Sequence, residues 1–104
     1  MFIHMSIHHP NPGYEEEVLD SMNRVRLAAL GTPGLIQIGP WREEAGGRVV
    51  GIAMWESRAH WEAALPALFA AASDDDPEGR WHATPPERIL LDDAWALPPD
   101  DLVD

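Results

Sequence analysis

The spacing of apolar residues along this chain switches between steps of two and steps of three or four, and the order of the switches leaves few folds open. Residues 2–9 alternate. Ile3, Met5 and Ile7 fall on one side, and Phe2, His4, Ser6 and His8 on the other. That is the pattern of a strand, and Pro10, Pro12 and Gly13 end it. From about Tyr14 to Leu30 the step lengthens. Tyr14, Val18, Met22, Val25 and Ala29 form one helical stripe. Glu15, Glu16 and Glu17 open this helix, where negative charge suits the helix dipole, and Gly31-Thr32-Pro33-Gly34 stops it.

Residues 35–42 and 48–55 read as two further strands with Gly46-Gly47 as the turn signal between them. The second is rich in Val and Ile and is expected to be central. Ser57 is a good helix N-cap, and Trp61, Leu65, Leu68 and Phe69 recur at helical spacing. Pro66 falls inside that run. A proline there removes a hydrogen bond, so the sequence predicts two short helices, about 58–64 and 66–73, meeting at a kink. Residues 87–92 make a last strand. Residues 94–104, with Trp95, Pro98 and Pro99, read as an acidic tail or an arm that docks on a partner subunit.

The order βαββαβ is that of the ferredoxin-like split βαβ unit, an α+β fold with a four-stranded antiparallel sheet and both helices on one face. One domain over residues 1–93 accounts for it. The first strand is apolar on its Ile3 face and mixed on the other, and residues 49–54 are largely apolar on both. Two helices shelter one face only, so the other calls for a second copy of the chain, and a homodimer is expected.

Composition narrows the partners. The 104 residues carry 7 basic and 18 acidic side chains, a formal net charge of -11. Nucleic acid and anionic membrane bind chiefly through Lys and Arg, so neither is expected. The run Asp74-Asp75-Asp76 reads as a solvated turn. There is no cysteine, which excludes disulfides and thiolate chemistry and fits a cytoplasmic protein. The start, Met1-Phe2-Ile3-His4, does not read as a signal peptide.

Four places together resemble the antibiotic-biosynthesis-monooxygenase-like family of dimeric α+β barrels. They are His4-Met5-Ser6-Ile7-His8 before Pro12-Gly13-Tyr14-Glu15-Glu16; Gly31-Thr32-Pro33-Gly34-Leu35; Met54-Trp55-Glu56-Ser57; and the helix from Arg58 with Trp61. The resemblance covers about residues 2–93. It implies a pocket between helices and sheet in each subunit, and it implies cofactor-independent oxygenation of a small aromatic or polyketide-like molecule. In the phenol-oxidising members a tryptophan ending the third strand and a phenol six residues later belong to the site. Trp55 matches the first position, and Trp61 stands at the second. Gly51 stands where those enzymes carry an asparagine. The helix histidine that binds iron in haem-degrading members has Ser73 as its nearest counterpart, so no cofactor is expected.

The candidate site follows from this orientation. His4 and His8 are the candidate catalytic bases, because an imidazole can take a proton from a phenol or enol near neutral pH. Ser6 lies on the same strand face as a hydrogen-bonding group, and Trp55 and Trp61 are the expected aromatic wall. A metal is not expected. His4 and His8 are about 13 Å apart along an extended strand, and His9 points the other way. Arg80, Trp81 and His82 precede the last strand and read as a solvated connecting loop, with a lid over the pocket as the alternative. Two other functions remain open from the sequence: a non-catalytic, small-molecule-binding or stress-related dimer, and an isomerase using a histidine as proton shuttle.

Overall fold

A computed structural model describes residues 1–94 of the chain. The order is β1 (Phe2–His8), α1 (Glu15–Ala29), β2 (Leu35–Arg42), β3 (Val49–Trp55), α2 (Arg58–Ala72) and β4 (Glu87–Asp92). The four strands form one antiparallel sheet in the order β2-β3-β1-β4. The Val- and Ile-rich β3 is central, as the sequence indicates. The segment from Trp95 to Asp104 lies outside the described residues, and with it the expected tail or dimer arm.

The register decides which side chains face the helices. Phe2 pairs with Trp55, His4 with Ala53, Ser6 with Gly51 and His8 with Val49. Phe2, Val49, Ala53 and Trp55 are buried, so this is the covered face. The core cluster joins Phe2, Ala53 and Trp55 to Ala29 of α1 and to Ala64 and Leu68 of α2. The alternate residues Ile3, Met5, Ile7, Val50, Ile52 and Met54 occupy the opposite face. There Trp41, Ile89 and Leu91 are 42%, 38% and 40% exposed.

Two expectations change. The stretch after Ser57 is one helix through Pro66, not two pieces. Proline costs that helix the hydrogen bond to the Glu62 carbonyl. Pro66 and Glu62 are both on the exposed side, where water can satisfy the carbonyl, and the alanine-rich flanks favour helix on either side. Phe69 belongs to the expected apolar stripe yet is 66% exposed, because Leu68 beside it takes the core position. The cap is as expected: Ser57 Oγ accepts from the His60 backbone N–H at 3.2 Å.

Candidate functional site

The face of β1 that begins at Phe2 divides into two halves. Toward its start, Phe2 is sealed under Trp61, with ring centroids 4.9 Å apart. Toward its end, a cavity of about 320 Å³ lies between the sheet and α1. That is at the lower end of the ~300–1,000 Å³ usual for small-molecule pockets. His4, Ser6 and His8 form its floor, with Gly51 and Ala53 beside them; Val18, Met22 and Val25 of α1 form its roof. Asp75, Asp76, Trp81 and His82 close one end, and Arg88 of β4 reaches in from the edge.

Of the residues singled out in the sequence, the structure brings together His4, Ser6 and His8. Trp55 and Trp61 are elsewhere. Trp55 is fully buried in the core cluster and Trp61 packs against it, and neither lines the cavity. The expected aromatic wall is therefore corrected: the roof is aliphatic, and the aromatic residue at the rim is Trp81. The reason is positional, since Trp55 ends β3 next to Phe2, at the closed half of the face.

A hydrogen-bonded chain runs out of the cavity floor. Ser6, 8% exposed, has its Oγ 2.9 Å from His8 Nε2. His8 Nδ1 is 3.1 Å from His82 Nε2. His82 Nδ1 lies 3.7 Å from Asp76 Oδ2, ion-pair rather than hydrogen-bond range. The carboxylate favours the tautomer that turns an N–H toward it, which leaves His82 Nε2 to accept from His8 Nδ1–H. His8 Nε2 is then a free lone pair facing the Ser6 hydroxyl.

The sequence did not place the outer two members of this chain, His82 and Asp76, at the site. His82 was expected in a solvated connection and Asp76 in a solvated acidic turn, and both are half-buried at the cavity. Tertiary bonds put them there. Asn11 N–H donates to the Trp81 carbonyl at 2.8 Å, Ala83 N–H donates to the His9 carbonyl at 2.9 Å, and Pro10 and His82 form a β-bridge. Asp76 takes a left-handed backbone (φ 47°), and its Oδ1 accepts from the Arg80 and Trp81 N–H groups. Asp75 is committed to Ser21 and Arg24.

Burial holds His8 well below its usual range, at about 4, with His82, Arg88, His9 and His4 adding positive-charge repulsion. Burial, then Arg88, also lowers His4, whose Nε2 is 3.5 Å from the guanidinium. Both imidazoles are therefore neutral at neutral pH. For His8 the folded state binds its proton less readily than the unfolded chain, so unfolding takes up a proton between pH 6.5 and about 4. Its contribution to stability is full above pH 6.5 and is lost as pH falls toward about 4. Denaturation midpoints measured across that window should slope less steeply in His8→Gln than in wild type; equal slopes would rule the effect out.

Gly51 makes room for Ser6. A Cβ on Gly51 would stand 2.7 Å from both Ser6 Oγ and Met22 Cε, so one of them must move. Gly51→Ala should cost about 1–3 kcal/mol by denaturant titration.

No family model and no curated relative matches the chain. Solved structures do. SnoaB, a cofactor-independent oxygenase from Streptomyces nogalater, is 19% identical, with a TM-score of 0.67 over 93% of this chain and 97% of that one. An antibiotic biosynthesis monooxygenase is 19% identical, with a TM-score of 0.68 over 94% and 100%. This chain shares the fold of these proteins. Rv0793 from Mycobacterium tuberculosis, 13% identical, matches with a TM-score of 0.74 over 88% and 92%. At these identities the likeness carries the fold and leaves the chemistry to the residues of this chain.

Proposed function

We propose that this protein is a cofactor-independent monooxygenase acting on a small aromatic or polyketide-like phenol or enol. The observation that carries the reading is the pair of neutral imidazoles, His4 and His8, on the floor of an otherwise largely apolar cavity. A neutral histidine takes the acidic proton of the substrate. Arg88, at the same wall, offsets the negative charge that forms. The resulting anion is electron-rich enough to reduce dioxygen. A hydroperoxide then forms at carbon and loses water to leave a carbonyl. One oxygen atom stays in the product and the other leaves as water, so a CH2 group becomes C=O without an external reductant.

The apolar roof of Val18, Met22 and Val25 suits a ring system and excludes water, which strengthens the electrostatics beneath it. Ser6 positions the substrate hydroxyl. Oxygen uptake with a panel of hydroxyquinones and phenols tests the reading. Uptake that falls in both variants, further in His8→Phe than in His4→Phe, supports it; tight binding with no uptake by any member turns the protein into a ligand-binding module.

The working unit is a homodimer, with a second copy covering the outer sheet face. Ile89 and Leu91 on the edge strand and Trp41 on β2 are the exposed apolar residues that support this. Light scattering should give twice the chain mass of 11.5 kDa, and Leu91→Arg should shift it toward one chain. A well-dispersed wild-type monomer would overturn the dimer. No helix among the described residues is long and apolar enough to cross a membrane, and the lack of cysteine supports a cytoplasmic setting.

A further inference from the structure

We infer that His82 and Asp76 are positioning residues of a proton relay, Ser6–His8–His82–Asp76, that carries the substrate proton out of the cavity floor to the loop. The inference rests on the proposed base chemistry and extends it to two residues outside the sheet. It starts from a difficulty. A substrate proton taken up by His8 puts an imidazolium beside Arg88, with His9 and His4 also near, in a partly desolvated site. Nothing on β1 or β4 compensates that charge. The compensating group is at the far end of the chain of contacts, where Asp76 lies 3.7 Å from His82.

The geometry offers the transfer. The substrate hydroxyl donates to Ser6 Oγ, and the Ser6 proton passes over 2.9 Å to His8 Nε2. His8 gives up its Nδ1 proton over 3.1 Å to His82 Nε2. Three O–H or N–H bonds break and three form, no electrons are exchanged, and the substrate is left as its anion. The positive charge then rests on His82, paired with Asp76 rather than with Arg88. Other charged groups do not compete for the role. Asp75 is held by Ser21 and Arg24, and Glu87 faces His9 at 3.8 Å.

Asp76 also shapes its loop through Oδ1, which bonds two backbone N–H groups. Asp76→Asn keeps an amide oxygen for those bonds and removes the charge toward His82, so it separates the two roles. The probe is alizarin, a flat dihydroxyanthraquinone whose colour reports its ionisation and whose titration needs no turnover. Bound to wild type, it should ionise at lower pH than in buffer. In Asp76→Asn and in His82→Phe the pH of half-ionisation should rise by about one unit, a tenfold change in the ionised-to-neutral ratio. Affinity for the neutral dye is read separately from its ionisation, because both side chains line the cavity.

Binding with unchanged ionisation in both variants would overturn the relay and leave the cavity reading standing. Failure of the dye to bind even wild type would overturn the cavity reading and the relay with it. Should a variant fail to fold, imidazole nitrogen NMR of wild type decides the matter. With dye bound, the imidazolium signature is expected on His82; finding it on His8 would overturn the inference.

Discussion

Turnover of a phenolic substrate should fall about 10²–10⁴-fold in His8→Phe, the range that loss of a general base produces. The expected loss is in kcat more than in KM, because the ring system contacts the aliphatic roof whether or not the base is present. His8 is the member of the floor with the most to lose. Its removal deprives Ser6 Oγ of its acceptor and His82 of its donor at once. His4 lacks that connection; its Nε2 meets only the Arg88 guanidinium, at 3.5 Å. His4→Phe should therefore be the milder change, with a loss of about a hundredfold, at the low end of the same range. Steady-state oxygen uptake at saturating substrate checks both. A His8→Phe enzyme at wild-type kcat, or a His4→Phe enzyme crippled beyond it, would reverse the assignment of the base.

Trp55→Ala should cost about 3–5 kcal/mol of stability, a large part of the ~5–15 kcal/mol that holds a domain of this kind together. Trp55 is the largest fully buried side chain, at 0% exposure, and it joins β3 and Phe2 to both helices. Truncation leaves a void that the neighbours Ala29, Ala53 and Ala64 are too small to fill. The indole N–H has no hydrogen-bond partner among the described residues, so truncation breaks no hydrogen bond and the cost is one of packing. Trp55→Phe keeps a ring in the slot and should cost less than half as much. Urea titration reads the cost. Alizarin affinity of the still-folded fraction reads the second point: it should be unchanged, since Trp55 is off the cavity wall. A stable Trp55→Ala protein that no longer binds the dye would return Trp55 to the ligand site.

The two residues illustrate how differently the site and the core were written in the chain. His4, Ser6 and His8 could be grouped in advance because a strand repeats every two residues, and three even-numbered positions must share a face. Their neighbour across the sheet, Gly51, could be aligned with Ser6 only once the register was known. Trp55 and Trp61 could be recognised as aromatic and near one another. Their distance along the face from Ser6 could not, because periodicity gives a side and not a depth. Pro66 misled in the opposite way: a rule about isolated helices was outweighed by an exposed position and a helix-favouring context.

Local spacing by itself determined the sequence of strands and helices, the two apolar faces of the sheet, and the side on which the candidate bases lie. Those are properties of a repeat with a fixed geometry, so a short stretch of chain suffices to specify them. Only the tertiary structure decided where the face is sealed and where it opens, and that His82 and Asp76 come to rest behind His8. Loops have no repeat. Their course here is set by bonds to residues some seventy positions away, such as Asn11 to Trp81 and His9 to Ala83, and such bonds exist only after the sheet has formed.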